Sequence, residues 1–444
     1  MGHAPFKKNL KIQAMSVPSR FFGYITSHGM GRALRHRDFT LFALAGWIAN
    51  NGMWLQRIGV QWLTWEITGS FAWLGAVASA DAIAIMIFLP IFGTVADRGN
   101  RLHLARVSQS LLMLLSIGLA ALTLAGFINI WGLLTFMALH GALEGFWTPV
   151  RMSMTPNLVP RADMASAIGL GSLFFNLAQF IGPAIAGILI AVFADRQIGI
   201  GILFVITAFS FLGYWVVLFM IRLRQDETRG GARLGFIADF REGVVYMLGM
   251  PGLALFMALM LASNLIMRAF RELLAGYADG IFQAGPEGLA MLTSAIGIGA
   301  VAGSMVVANY KNAAGLTRLV FISYALAIVM QIGFALAPVF WFAVTCTAGL
   351  GFAVAIGSIG SQVLVQSTIH GDMRGRVMSL WSIIARGGPA VGAWIIGVLT
   401  DIWEFQLVMI VATSIYLLFY LALLPKSRAM AASLESTPDD RPRD

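Results

Sequence analysis

Between Asp38 and Leu424 the sequence returns twelve times to an apolar run about long enough to cross a bilayer. No other feature of the chain narrows its fold as much. Roughly 20 residues of helix, at about 1.5 Å each, span the hydrocarbon core, and in that solvent a helix satisfies its own backbone polar groups. The runs fall at 39–65, 72–96, 102–126, 131–154, 164–193, 200–221, 251–276, 287–309, 316–337, 340–367, 376–400 and 405–424. Only 11% of the residues are charged, against about 25% in an average soluble domain. The expected class is an all-α integral membrane protein of twelve transmembrane helices. The single cysteine, Cys346, excludes an internal disulfide. The net charge of +9 does not point to nucleic acid, because the bases stand at the ends of the apolar runs and not in a patch interleaved with aromatics. The first 35 or so residues are basic and mixed, with no signal-type apolar core.

The bases set an orientation. Lys7, Lys8, Lys11, Arg20, Arg32, Arg35 and Arg37 precede the first run, and Arg98, Arg101 and Arg106 follow the second. Arg151 and Arg161 flank the turn after the fourth, and Arg222, Arg224, Arg229, Arg233 and Arg241 fill the central connection. Lys311, Arg374, Arg376, Lys426 and Arg428 complete the series, while the opposite loops hold essentially Arg196. With twelve spans all the former lie on one side. The positive-inside rule then predicts both termini in the cytosol, and the alternation fails if any span is dropped. The central connection halves the chain. The expected organisation is a cytosolic segment 1–37, a six-helix bundle 38–221, a cytosolic loop 222–250 with an amphipathic helix at Phe236–Leu248, a second bundle 251–425 and a disordered tail 426–444.

Between the second and third runs stands Gly93-Thr-Val-Ala-Asp97-Arg98-Gly-Asn100-Arg101. Gly93 lets another backbone come close, and Asp97, four residues on, lies on the same helical face. Asp97 can reach a helix N-terminus or a base, and Arg98 and Arg101 place positive charge in a cytosolic loop. Gly182-Pro183-Ala-Ile-Ala-Gly187 in the fifth run has a counterpart in Gly388-Pro389-Ala-Val-Gly392 of the eleventh, as a six-plus-six repeat predicts. The glycines suit tight packing, and each proline frees a carbonyl.

Ionisable residues inside spans are costly and face the interior. Arg57 and Asp81 come to matching depth in the hairpin of runs one and two, roughly 13–15 Å below the outer surface, which suits a salt bridge, either static or opening on protonation or substrate binding. His140 and Glu144, at i and i+4, share one face, and a mid-membrane carboxylate suits proton exchange. Glu144, with Asp81 and His140, is therefore the candidate proton-coupling group; the bland alternative is a hydrogen bond that never titrates. Arg268 and Glu272 are an i,i+4 pair, and Arg268 and Arg271 either snorkel to headgroups or line a cavity. Arg386, near mid-depth, suits an anionic substrate, a carboxylate of the other bundle or the carbonyls freed by Pro389. Asn50, Asn51, Gln56 and Gln61 make the first run unusually polar, some facing a cavity and some joining helices, and Asn176, Gln179 and Gln362 read the same way. Trp62 and Trp65 fit an outer aromatic belt.

Several stretches together resemble the major facilitator superfamily of secondary transporters. The 93–101 loop is similar to its signature between spans two and three, with Asn100 in place of a second glycine and Leu102 in place of a last base. Arg35-His-Arg-Asp-Phe-Thr-Leu-Phe42, Trp54-Leu-Gln56-Arg57, Glu66-Ile-Thr-Gly-Ser70, Pro149-Val-Arg151, Leu158-Val-Pro-Arg161, Asn176, Arg374-Gly-Arg376-Val-Met-Ser379 and Arg386-Gly-Gly-Pro389 look like the branch containing the enterobactin exporters. The resemblance covers about residues 34–425 and implies two pseudo-symmetric six-helix bundles rocking about a central cavity. It implies that Asp97 and Arg98 latch one bundle to span eleven, and the Gly182-Pro183 element resembles an antiporter motif. The expected function is proton-coupled export of small amphipathic, siderophore- or drug-like molecules by a monomer in the bacterial inner membrane. A lipid or lysolipid transporter is the alternative. An enzyme is disfavoured: six scattered histidines and one cysteine make no metal, cofactor or nucleophile site, and His370-Gly-Asp372 has no partner. A receptor of this fold would be expected to carry an added soluble domain.

Overall fold

A computed structural model describes residues 29–193, 195–223, 236–310, 313–369 and 371–435; within these ranges the side chains of 29–31, 94, 96–98, 165, 236–239, 371 and 372 are not described. Twelve long helices follow one another: α1 Arg37–Thr68, α2 Phe71–Arg98, α3 Arg101–Leu124, α4 Ile130–Met154, α5 Met164–Val192 and α6 Arg196–Met220 in the first half. The second half holds α7 from Pro251, α8 Gly285–Ala308, α9 Leu316–Ala335, α10 Phe340–Thr368, α11 Gly371–Ile402 and α12 Phe405–Leu423. No strand occurs among the described residues. Ten of these segments are apolar and long enough to cross a bilayer, and the two that fall short of that composition are α1 and α4. They carry Gln56, Arg57 and Gln61, and His140 and Glu144, whose side chains turn inward. Their 32 and 25 residues still match the length of their neighbours.

The ends follow local chemistry. Ser70 accepts from the Trp73 N–H at the start of α2, and Asn100 and Asn129 cap α3 and α4 in the same way. Gly69, at φ 57°, closes α1 in the left-handed conformation that glycine adopts without strain. α5 and α11 run on through Pro183 and Pro389. The seventh span departs from expectation. Its regular helix ends at Ile266, residues 269–273 tighten into a 3₁₀ turn, and Tyr277–Ile281 loosen into a π turn. Both Met267 and Arg268 donate their N–H to the Ser263 carbonyl. Such irregular backbone at membrane depth is tolerated when buried in protein, and here Phe270, Leu273 and Tyr277 are buried, with the Tyr277 hydroxyl donating to the Phe334 carbonyl at 2.7 Å.

Within the first half α2 packs on α4, α3 on α6, and α1 on α5 and α6; within the second α8 and α9 pack on α10, and α7 on α11. The halves meet chiefly along α2–α11 and α5–α8. Small residues make the first crossing close. A Cβ at Gly75 would lie 2.5 Å from the Ala393 carbonyl oxygen, and one at Gly397 would strike the Phe71 carbonyl. Gly187 meets Ala290 across the second crossing, whereas Gly182 packs on Trp54 and Gly388 on Asn264, each inside its own half. The described segments Gly29–Arg35, Phe236–Leu248 and Ser427–Leu434 lie on one face of the bundle, the termini face. The loops after α1 and α11 mark the opposite, far face.

Phe236–Leu248 is the expected helix, and it packs against α11, with a Glu242–Arg376 ion pair. The tail does not become irregular at Pro425. Ser427–Leu434 form a helix that buries Met430 and Leu434, and Glu435 accepts from the Gly315 and Thr317 N–H groups at the start of α9. Met430 and Leu434, four residues apart, give that short Ala-rich stretch a face to bury.

Candidate functional site

Four ties join the halves at the far face. Arg57 of α1 pairs with Glu272 of the irregular seventh span, and Gln61 Nε2, one turn above, donates to the other oxygen of Glu272 at 3.0 Å. Trp65 Nε1 donates to Asp279 at 3.0 Å. Asp401, at the end of α11, accepts from the Ser70 hydroxyl and from the Phe71 and Ala72 N–H groups at 2.8 and 3.3 Å. A carboxylate from one half thus caps a helix N-terminus of the other, where the helix dipole favours it. No ion pair joins the halves nearer the termini face among the described residues.

The expected Arg57–Asp81 bridge is therefore replaced. Both residues line one small cleft with Gln61 and Glu272, but Asp81 accepts from His140 Nδ1 at 2.9 Å. The His140 ring lies beside Phe136, and its Nε2 is buried without a partner. Glu144 stands one turn further along α4, half-buried and close enough to act on His140 electrostatically, with no hydrogen bond to a described residue. The expected Arg268–Glu272 pair does not form either. The 3₁₀ turn rotates Glu272 toward α1 and leaves Arg268 Nη1 to donate to Asn264 Oδ1 at 3.2 Å.

Between the halves lies an open cleft of about 220 Å³. Asn176 and Gln179 of α5, Arg268, Phe270 and Arg271 of the seventh span, Ser304 of α8 and Ser358 of α10 contribute to its wall. The cleft runs from mid-depth toward the termini face, since Ser304 lies about 6 Å from that end of α8. Arg271 lies over the Trp54 ring, 4.5 Å from its centroid, and the Gln179 amide oxygen accepts from both its terminal nitrogens, at 2.7 and 3.1 Å. Arg57 approaches the same ring at 5.7 Å. Arg386 is exposed, but away from lipid. The outward side of α11 carries Val391, Trp394, Ile395, Val398 and Ile402, and at 100° per residue Arg386 lies well away from it, within electrostatic reach of Arg268.

Other expected site residues are placed less centrally. Gln56 is buried against Ser116 of α3, whose hydroxyl it accepts at 2.8 Å, so it joins helices instead of lining the cleft. Asn50 is half-buried without a side-chain hydrogen bond to a described residue. Gly93 has nothing within 4 Å of where a Cβ would stand, so no helix exploits it in this conformation. Arg101 donates to the Ser153 carbonyl at 3.4 Å. The Asp97 and Arg98 side chains, and the His370–Asp372 pair, lie outside the described residues. Trp62 is buried under Arg196 and Trp65 is engaged with Asp279, so neither forms an outer belt. Asp279 and Asp401 were not anticipated. A signal existed for the second: Gly397-Val-Leu-Thr-Asp401 repeats the spacing of Gly93-Thr-Val-Ala-Asp97.

Comparison with known proteins agrees with this fold. Among solved structures, a bacterial homologue of the lysosomal transporter Spinster, inward-facing and unoccupied, superposes with a TM-score of 0.69 at 15% identity, covering 90% of this chain and 99% of its own. A peptide-bound POT family transporter gives 0.70 at 13% identity, covering 89% and 96%. Both likenesses concern the fold. By sequence, the staphyloferrin A transporter of Staphylococcus aureus is 22% identical over 379 residues, 83% of this chain and 92% of its own. The enterobactin exporter EntS of Salmonella choleraesuis is 24% identical over 367 residues, 82% and 85%. The profile of the transmembrane secretion effector family matches residues 31–441. The chain thus belongs to the transmembrane secretion effector family of the major facilitator superfamily, whose members are transporters and not enzymes.

Proposed function

We propose that the protein is a proton-coupled exporter of small amphipathic molecules, siderophore- or drug-like, working by alternating access as a monomer in the bacterial inner membrane with both termini in the cytosol. One observation carries the reading: a central cleft opens toward the termini face while four cross-half ties close the far face. With the termini cytosolic, this conformation loads substrate from inside. The relatives that transport staphyloferrin A and export enterobactin support a siderophore-like cargo.

Proton coupling rests on Asp81, His140 and Glu144. An ionised Asp81 requires His140 Nδ1 to be the donor, which leaves the lone pair of Nε2 bare and buried. A proton arriving there makes an imidazolium that Asp81 and Glu144 stabilise and that repels Arg57. Repulsion drives Arg57 away from Asp81 and toward Glu272, so the proton favours the tie that closes the far face. In proteoliposomes with an imposed pH gradient, Glu144→Gln and His140→Gln are expected to abolish gradient-driven export while leaving exchange at equal pH. Gradient-driven flux unchanged in both variants rules out this route. Equal accumulation of a chemically mixed panel by cells with and without the protein, at several pH values, rules out export itself.

A further inference from the structure

The guanidiniums beside the cleft outnumber the anions available to them. Glu272 is taken by Arg57 and Gln61, and Asp81 by His140. Arg268, Arg271 and Arg386 remain, and none reaches a carboxylate within ion-pair distance among the described residues. Arg268 has the amide of Asn264, and Arg271 the amide of Gln179 and the face of Trp54; Arg386 has no hydrogen bond to a described residue. Amide and ring orient a guanidinium without cancelling its charge. The arginines also repel one another: Arg268 acts against Arg57 and Arg386, and Arg271 against Arg57 and Arg268. The anion that faces them is Glu272, whose oxygens are taken by Arg57 and Gln61.

Half-buried and exposed guanidiniums gathered beside one open cleft repel one another, and an anion that joins them relieves that repulsion. The remaining wall is apolar, with Phe175, Phe270, Ile296, Leu350 and Val354. A hydrated inorganic ion gains little from such a wall, whereas an organic anion buries its frame there. Guanidinium forks grip acidic groups through two parallel N–H donors, and the three stand on two different helices, so more than one acidic group can be held at once. Building on the transporter reading, we infer that the cleft takes an amphipathic organic anion with at least two acidic groups. Arg271 holds one group and Arg268 the other, Arg386 of α11 adds its charge from beside the cleft, and the frame rests on Phe175, Phe270 and Leu350.

The test uses purified full-length protein in detergent and four compounds that share one ring: isophthalate, benzoate, benzamide and benzylamine. Isophthalate is expected to raise the thermal midpoint most, benzoate less, and the neutral and cationic compounds not at all. Arg268→Gln and Arg271→Gln should each weaken isophthalate binding about tenfold or more, Arg271→Lys less, while Arg196→Gln, outside the cleft, changes nothing. The series with unaltered protein needs no variant to fold: equal shifts from all four compounds, or the largest from benzylamine, overturn the assignment. So does lysophosphatidylglycerol displacing isophthalate at lower concentration than isophthalate itself binds, which makes the occupant a lipid. The two readings fail separately. Isophthalate binding in the expected order with no export of any compound by cells leaves the site and removes the transporter. Export of neutral or cationic compounds undiminished in an Arg268→Gln/Arg271→Gln double variant leaves the transporter and removes the site.

Discussion

Glu272 holds two residues of the opposite half, Arg57 and Gln61, with one buried carboxylate. Its side chain is buried while that of Arg57 is 37% exposed, so the pair is neither fully desolvated nor a surface bridge. A coupling of roughly 1–3 kcal/mol is expected, between the small value of exposed pairs and the large one of buried pairs. Glu272→Gln and Arg57→Gln should each lower the thermal midpoint, and the double variant should fall less than their sum. A double-mutant cycle in detergent measures it, and strict additivity contradicts the assignment. The partner of Arg57 was not legible in the sequence. Depth matching pointed to Asp81, and correctly brought the two into one cleft. The choice of Glu272 depended on the 3₁₀ turn at 269–273, which no periodicity announces, because five residues are too few to show a change of period.

Helix ends carry the next level of control. Asp401 supplies to α2 the acceptor that Ser70 alone cannot, and a lost cap costs about 1 kcal/mol, roughly a fivefold change in an equilibrium. Asp401→Ala should therefore raise the population open at the far face by about that factor, read as faster labelling of a cysteine placed at Val77, buried in the small cleft behind the seam, in a Cys346→Ser background. Labelling at the parental rate would show that Asp401 does not hold the seam. At the termini face the turn Gly29–Arg35 is tied to the start of α5 by His36, whose Nε2 lies 2.9 Å from Asp163, and by Arg32. The His36 hydrogen bond, and after it the charge of Arg32, hold the Asp163 carboxyl below its ordinary range. A lowered carboxylate contributes stability above its unfolded value and loses it as pH falls through its folded value. The docking should thus be present at neutral pH and fade below about pH 4. Hydrogen exchange of residues 29–35 should rise there, and Asp163→Asn should produce the same rise at pH 7. The elements themselves were legible: hydropathy and the alternation of bases led to twelve helices and to the 236–248 helix. The Ser427–Leu434 helix was not, because its stability comes from docking beside α9 and not from its own composition.

At the scale of the whole molecule, the two halves offer the same device at opposite ends. Gly397 and Asp401 close the end of α11 against the start of α2 at the far face. Gly93 and Asp97 stand at the other end of α2 with the same spacing, at the termini face, where α11 begins. The first is engaged here, and Gly93 has no neighbour within 4 Å. If the molecule rocks about the α2–α11 and α5–α8 crossings, closing the termini face brings the start of α11 to Asp97 as it withdraws the start of α2 from Asp401. Under the proposed alternating access, each aspartate would then cap the other's helix in one of the two states. The pair makes a prediction that neither makes alone. Asp401→Asn should favour the conformation open at the far face and Asp97→Asn the one open at the termini face, each slowing transport by stabilising one state relative to the other. Combining them removes similar contributions from both states, so the double variant should return toward the parental balance. Spin-label distances across each face measure the populations. Shifts of both single variants in the same direction, or a double variant at the sum of two like shifts, would show that the caps are not exchanged and that Asp401 is a fixed hinge.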